Sequence, residues 1–469
     1  MRTLTMKFGG TSVGNAHAVS QAADIVLDSS QEWERVVVVV SAASGVTDSL
    51  MQGALTAASG DGQSYLEIEA DLRERHYAVV RELVRSAGES ASLLAMVDEH
   101  LAEFAAFCRS IHVLGEVTPR AMDTIVSVGE RMNAGILAAL LRQRGKKSQA
   151  VDATQLIVTD AGFQKAVPLM DNTRTRIAER LVPMLADGIV PVVTGFIGAT
   201  ADGVLTTLGR GGSDFSAAIL GDCLDSDEVW IWTDVDGVMT ADPRIVPEAR
   251  IIHVLSYAEV SELAYFGAKV LHPRAIRPVV ERGIPLWVKN TFNPTCPGTR
   301  IVQEPETNDG TVKAVTAIRD LSMVTVEGRG MMGVPGIAAR TFAAVASKGA
   351  SVLMISQASS EQSICFVIPT DTAPPVIRSI EEEMAAELRR RDIDRISCVD
   401  DMVIVTAVGA GLRGTPGVAA RTFVALAQGD INVIAVAQGS SECSISLLVS
   451  AEDAAHAVRQ IHEEVILNE

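Results

Sequence analysis

Residues 328–368 return as residues 409–449 at a constant offset and without gaps. Gly333, Pro335, Gly336, Ala338, Ala339, Arg340, Thr341 and Phe342 recur as Gly414, Pro416, Gly417, Ala419, Ala420, Arg421, Thr422 and Phe423. Gln357, Ser359, Ser360 and Glu361 recur as Gln438, Ser440, Ser441 and Glu442. A repeat that holds register through helix and loops alike demands two copies of one unit, side by side. Each copy has the pattern strand, glycine turn, helix, strand, turn, strand. Gly328, Gly330 and Gly333 fit G-x-G-x-x-G, as do Gly409, Gly411 and Gly414. A dinucleotide site also needs an acid about twenty positions on, where Leu353 and Ile434 stand. The glycines are therefore expected to let a loop approach a neighbouring chain or a small ligand.

Ahead of the repeat, strands alternate with helices. The first stretch, 3–8, is apolar and runs into Gly9-Gly10-Thr11-Ser12. A helical pattern follows, with Val19, Ala22, Ala23, Val26 and Leu27 three and four apart. Paired glycines there allow a sharp turn and close backbone approach to a ligand. The helix N-terminus adds positive potential for an anion, and Lys7 at the strand end could reach the same anion. The plainer alternative is a tight strand–helix turn with a surface lysine. A Walker A spacing is absent. Residues 36–40 are five consecutive valines, as suits a parallel strand covered on both faces. Ser41 closes that strand, with Ser44, Gly45 and Thr47 in the loop beyond. Lys7 and Ser41 thus lie at carboxyl ends of strands, where open α/β sheets bind ligands.

Residues 55–111 are helical, charged and poor in glycine, and are expected to be exposed helices without chemistry. Residues 119–144 are also helical and carry Glu130, which fits equally an exposed helix position. A strand over 189–194 ends in Gly195-Phe196-Ile197-Gly198. The second glycine loop, 208–214, contains Arg210 between glycines, with Ser213 as a natural N-cap and Asp214 in the first turn. Capping does not explain Arg210, whose guanidinium suits a carboxylate or phosphate. A strand over 228–233 leads to a turn-rich loop, 234–244, typical of ligand binding. A helix near 258–265, the segment 267–273 and a strand at 286–289 follow. Residues 293–310 have the composition of a linker.

The whole chain of 469 residues suits two or three domains, and 48% hydrophobic content supplies ample core. A formal charge of −18 argues against a nucleic-acid surface, though not against one small basic pocket for ATP. The valine run is too short to cross a bilayer, and Arg2 and Lys7 are not followed by a signal-peptide core. A cytoplasmic location is expected. The six cysteines include no C-x-x-C pair, and the eight histidines are scattered. Reduced thiols, no metal site and no Ser-His-Asp triad are expected.

Together, the segments 7–12, 129–131, 208–214, 232–234, 242–244 and 267–273 resemble the aspartate kinase family, and the C-terminal repeat resembles its tandem ACT domains. The resemblance covers essentially the whole chain. It implies an α/β amino-acid kinase fold over 1–300, a mostly parallel sheet sandwiched by helices. Two interleaved ferredoxin-like ACT domains would follow over 309–469, the first at about 319–394 and the second at about 309–318 plus 395–469. The implied reaction is transfer of the γ-phosphoryl of Mg2+-bound ATP to the β-carboxylate of L-aspartate. By resemblance, Lys7 and Lys269 neutralise the phosphates, Asp214 orients Lys7, and Gly9, Gly10 and Ser12 contact the nucleotide. Arg210 would hold a substrate carboxylate and Glu130 the α-ammonium, with Ser41, Thr47 and Phe196 lining the pocket. Thr233, Asp234, Asp242 and Arg244 would border the nucleotide. Met239 stands where many relatives have tyrosine, so aromatic stacking on the purine is lost.

The effector implied is threonine, at Gln357, Gln438, Ile337, Ser360 and Glu361. Lysine-inhibited relatives often carry an acid after Ser-Val, where Leu353 stands here. The strings 355–361 and 437–442 look like the threonine-sensitive branch, which includes bifunctional enzymes with a homoserine dehydrogenase half. No such half is expected after the second repeat. Alternatives are lysine as effector, a kinase of this fold acting on glutamate or N-acetylglutamate, or a silent amino-acid sensor. ACT units generally pair side by side, so a homodimer or larger is expected, with no membrane or nucleic-acid partner.

Overall fold

The computed structural model describes residues 1–267, 271–304, 312–331, 334–357, 362–412, 414–439 and 443–468. Two compact units emerge. The first comprises Met1–Val238, Ile251–Tyr257 and Val270–Pro305, and the second Met239–Arg250, Ala258–Lys269 and Glu306–Glu469.

The first unit is built on an eight-stranded sheet. Its strands are β1 (Thr3–Phe8), β2 (Arg35–Val40), β3 (Ser148–Val151), β5 (Val190–Thr194), β8 (Glu228–Thr233), β9 (Val254–Ser256), β10 (Leu286–Asn290) and β11 (Thr299–Val302). Between them, β4 (Val158–Thr159), β6 (Ile197–Thr200) and β7 (Leu205–Thr207) form a separate small sheet. The large sheet runs β3-β5-β2-β1-β8-β10-β11-β9, and among the described residues only β10 and β11 pair antiparallel. The valines of β2 are buried on both faces, as a strand bounded by two parallel neighbours and covered by helices requires. Register places Phe8 beside Val40 and Trp232, and Val40 beside Thr194. Four strands therefore end together at one carboxyl edge, which is where ligands meet such sheets.

Two expectations change here. The charged helices are Val46–Ala58, Ser64–Leu83 and Ala87–Leu114, and they are not merely exposed. Leu50, Leu72, Val97, Leu101 and Phe104 bury a common core with Ile125 and Met132, because each helix is amphipathic despite its charge. The linker-like stretch contains β11, which bonds to β10 and β9. Pro294, Pro297 and Gly298 sit in the turn before β11, and 305–310 lie outside the described residues. Pro119–Gln143 is long and apolar enough to cross a membrane, yet most of it is buried inside this unit.

The second unit holds a six-stranded antiparallel sheet of β12 (Ala314–Glu327), β13 (Met354–Gln357), β14 (Ser363–Pro369), β15 (Arg395–Val408), β16 (Ala435–Gln438) and β17 (Ser444–Ser450). Its order is β13-β14-β12-β15-β17-β16. The two long central strands each serve both repeats. Residues 321–327 of β12 lie between β14 and the start of β15, whereas 314–318 pair with 404–408 of β15, which in turn pairs with β17. An irregularity between Ile318 and Met323 separates the halves. Each repeat then covers its half-sheet with two helices: Ile337–Ser347 and Ala373–Glu383, or Val418–Gln428 and Ala454–His462. The recurring arginines have recurring partners. Arg340 binds Glu383 and Glu387, and Arg421 binds Glu464. Gly328 and Gly330 closely approach this chain's own turn: a Cβ on Gly328 would lie 2.3 Å from the Asp392 carbonyl oxygen. Gly333 lies outside the described residues.

Candidate active site

β1 carries Lys7 into the carboxyl edge. Its side chain is 11% exposed, and Nζ lies 2.6 Å from Asp214 Oδ1. Asp214 sits in the first turn of the helix Gly212–Cys223, so two glycine loops meet at this ion pair. The helix cap is Gly211 in the left-handed region, φ 71°, and not Ser213. A left-handed cap needs glycine, and it moves the helix start ahead of the serine.

The loop after β1 is tied down from two sides. Gly9 N–H donates to the Trp232 carbonyl at 3.0 Å, and Ser44 N–H donates to the Gly10 carbonyl at 3.0 Å. A Cβ at Gly10 would sit 3.0 Å from the Ala42 carbonyl oxygen, which leaves little space for a side chain there. Ser12 is fully buried: its hydroxyl donates to Trp232 O at 3.2 Å and accepts from Thr291 at 2.7 Å. That side chain holds the loop on β8, so its hydroxyl is committed within the protein.

Ser41 follows β2, where Asn133 Nδ2 donates to its carbonyl at 2.9 Å. Thr47 lies in the first turn of the helix Val46–Ala58, not in the preceding loop, because Gly45 in the left-handed region starts that helix. Glu130 is on the helix Val128–Gln143 and is 3% exposed, which removes the exposed-position alternative. Gly129 before it admits no side chain, since a Cβ would meet Ala42 Cβ at 2.5 Å. That close contact packs the helix on the β2 loop. Burial pushes the Glu130 carboxyl up to about 8, against backbone N–H groups of Ala42 and Glu130 that pull it down. Its Oε2 is buried with no hydrogen-bond partner. An unpaired buried acceptor of this kind awaits a donor.

Phe196 adopts positive φ, 69°, and its N–H donates to Ser216 Oγ at 3.0 Å. Its ring lies over Gly212, where a Cβ would be 2.5 Å from the ring. Arg210 is exposed at the tip of the second loop. The base of that loop depends on Asp123, a residue no motif marks. Asp123 is 1% exposed and accepts from Thr207 N, Thr207 Oγ1 and Gln164 N at 2.8–3.1 Å. Burial raises its carboxyl above the usual range and these three donors oppose the rise. Asp123 and Asn133 escape sequence reading because their partners lie far along the chain.

Thr233 ends β8, and its hydroxyl donates to Asp234 Oδ1 at 3.2 Å. Asp236 accepts from Asn290 and Asn293, which holds the loop beyond. Met239, Asp242 and Arg244 group with the second unit. There Arg244 folds back on Asp242 with a 2.6 Å ion pair, and that guanidinium holds the Asp242 carboxyl below its ordinary range. Lys269, Ser360 and Glu361 lie outside the described residues. Gln357 and Gln438 end β13 and β16, both exposed. Gln357 and Ile337 share the wall of a cavity of about 340 Å3 with Met331 and Ile364.

The sequence model of the Amino acid kinase family matches residues 2–290, and that of the ACT domain matches 324–384 and 405–465. The bifunctional aspartokinase/homoserine dehydrogenase 1 of Arabidopsis thaliana is 39% identical over 98% of this chain and 51% of its own length. The chain thus spans about half the length of the bifunctional relatives it matches. Aspartokinase 3 of the same plant is 32% identical over 98% of this chain and 81% of its own. Crystal structures of E. coli aspartokinase III, one with lysine and aspartate and one with aspartate and ADP, are 29% identical with a TM-score of 0.81. They cover 99% of this chain and 99% and 100% of their own. Sequence match, architecture and the meeting of two glycine loops at Lys7 agree, and the chain belongs to the amino acid kinase family, among the aspartokinases with paired ACT domains.

Proposed function

We propose that this chain is an aspartate kinase that forms 4-phospho-L-aspartate and ADP from L-aspartate and ATP. The observation that carries the reading is the Lys7 ammonium, held by Asp214 between two glycine loops at the carboxyl edge of the sheet. A β-carboxylate oxygen attacks the γ-phosphorus, and the bond from γ-phosphorus to the bridging oxygen breaks, so ADP leaves with the electron pair. The nucleophile is ionised at neutral pH and needs no general base. What the reaction needs is positioning and charge neutralisation. Lys7 supplies positive charge to the transferring group, helped by Lys269. Gly9, Gly10 and Ser12 supply the loop that contacts the nucleotide. Thr233, Asp234, Met239, Asp242 and Arg244 border the nucleotide, and Mg2+ comes with its phosphates.

Glu130 selects the substrate. An α-ammonium would satisfy its orphaned Oε2, whereas an acetylated nitrogen carries no charge to offset a buried carboxylate. Arg210 takes the α-carboxylate, and Ser41, Thr47 and Phe196 complete the pocket. A coupled ATP-consumption assay with aspartate, glutamate and N-acetylglutamate tests this. Turnover is expected with aspartate; turnover with another acid alone, or none, refutes it.

The regulatory reading is feedback by L-threonine, on the path that leads from aspartate to lysine, threonine and methionine. Its support is the neutral lining of the Gln357 cavity, whose amide offers both donors and acceptors. Lysine is the second candidate, since E. coli aspartokinase III is seen with it. Initial rates at sub-saturating aspartate with threonine, lysine or methionine separate the two. A homodimer through the ACT units and a cytoplasmic setting complete the proposal.

A further inference from the structure

A cavity of about 580 Å3 opens in the kinase unit beside the second glycine loop. Of the residues assigned above to the substrate, only Arg210 lines it; Ser41, Thr47, Glu130 and Phe196 do not. Its floor is apolar, with Leu208, Phe215, Met170 and Pro278. Its rim is basic, in a chain whose net charge is −18. Both acids of the lining are already neutralised. Asp222 pairs with Arg174 at 2.9 Å and Arg282 at 2.6 Å, and Glu281 pairs with Arg277 at 2.6 Å. Lys165, Arg210 and Arg274 have no carboxylate partner among the described residues. His272 stands among them with a buried Nδ1 that has no hydrogen-bond partner. Burial, then Arg210 and Arg274, lower the pKa of that ring, so it is neutral at pH 7 and can offer one N–H.

Three uncompensated cations beside a neutral imidazole, over an apolar floor, define a complementary ligand. Low-dielectric walls focus the field of such a cluster, and the volume is that of a small-molecule site. We propose that this cavity binds a small organic anion, a phosphate or carboxylate head on a compact apolar body, and that its occupant competes with substrate for Arg210. The head would lie among Lys165, Arg210, Arg274 and His272, and the body against Phe215 and Met170. The competition half rests on the assignment of Arg210 to aspartate; the binding half does not.

Phenyl phosphate is the probe, titrated calorimetrically into the full chain at saturating ADP, with inorganic phosphate, benzoate and benzyl alcohol alongside. One equivalent of phenyl phosphate is expected to bind, at least tenfold more tightly than inorganic phosphate, and benzyl alcohol not at all. Benzoate shows whether a carboxylate head serves as well. The double variant Lys165→Ala/Arg274→Ala should weaken binding tenfold or more while leaving kcat and the aspartate KM unchanged without the anion. No saturable binding, or equal binding to wild type and variant, overturns the site. In kinetics, phenyl phosphate should raise the aspartate KM at constant kcat in wild type only. Binding without that rise overturns the competition and keeps the site. Absence of any turnover with aspartate would refute the kinase reading while the titration still reports the cavity.

Discussion

The two units place the residues assigned to their ligands in opposite ways, although the second also buries an ion pair, Lys313–Glu259. The kinase unit draws charge inward: Lys7, Asp214 and Glu130 all lie at or below 15% exposure, at strand and helix ends. The regulatory unit leaves its repeated glutamines, Gln357 and Gln438, neutral and exposed at the ends of edge strands. Charge in a partly buried site acts strongly, because little water screens it, and is costly when left unpaired. A neutral amide at the surface contributes little and loses little. The first arrangement suits stabilising a large charge shift in phosphoryl transfer; the second suits weak, reversible recognition. Removing groups from each unit should therefore have effects of very different size.

The largest effect is expected at Lys7. Lys7→Met removes the charge that we propose faces the transferring phosphoryl, and kcat should fall by about a hundredfold or more, as for other transition-state donors. Asp214→Asn should lower kcat by less, through a misplaced lysine. Steady-state kinetics with aspartate and ATP decide it; near-normal turnover in the Lys7 variant would erase the contrast between the units.

Arg210 comes next. Its exposure places the loss near that of a charged hydrogen bond, roughly 1.5–3 kcal/mol in kcat/KM for aspartate. ATP affinity should barely change in Arg210→Ala. A loss confined to ATP would mean that the pocket has been oriented backwards.

Glu130 gives the comparison a pH axis. Its carboxyl is held near 8 in the folded chain, against an ordinary 4.5. Between those values the folded chain keeps a proton that the unfolded chain has lost, so stability declines as pH rises through that window. Glu130→Gln should flatten that decline in thermal melts taken from pH 5 to 8.5. Aspartate binding prefers the ionised form, so its KM should fall as pH rises toward 8, by up to about tenfold per unit. A KM independent of pH from 6.5 to 8.5 would remove Glu130 from the substrate site.

The smallest effects belong to the regulatory unit. Gln357→Ala or Gln438→Ala should raise the threonine concentration needed for inhibition, with kcat unchanged. A coupling of about 1–3 kcal/mol bounds the shift, and reciprocity requires aspartate to weaken threonine binding if threonine acts on aspartate affinity. Inhibition by lysine alone would replace the effector, and indifference to all three amino acids would leave the glutamines a structural role.

What could be inferred before folding differed by residue. The Lys7 loop, the five valines and the repeat announce themselves because their signals are local: glycine pairs, β-branched runs and register. Ser213 misled as a cap because serine is a good cap only where the preceding glycine does not take the left-handed turn first. Thr47 was displaced from loop to helix by the same device at Gly45. The charged helices looked exposed because charge count hides an apolar stripe that only packing reveals. Asp123 carries no motif; its importance lies in hydrogen bonds to Thr207 and Gln164, far along the chain.

By itself the sequence determined the alternation of strand and helix, the duplicated regulatory unit and the loop that presents Lys7. These follow from backbone freedom, β-propensity and periodicity within short windows. Tertiary structure decided the rest. It raised the pKa of the Glu130 carboxyl by burying it, against the opposing pull of the Ala42 backbone N–H. It committed the Ser12 hydroxyl to Trp232 and Thr291, made β12 and β15 serve both repeats, and left Arg210 exposed beside a basic cavity. Desolvation, pairing and shared strands depend on groups distant in sequence, and their energies exist only once the chain has brought those groups together.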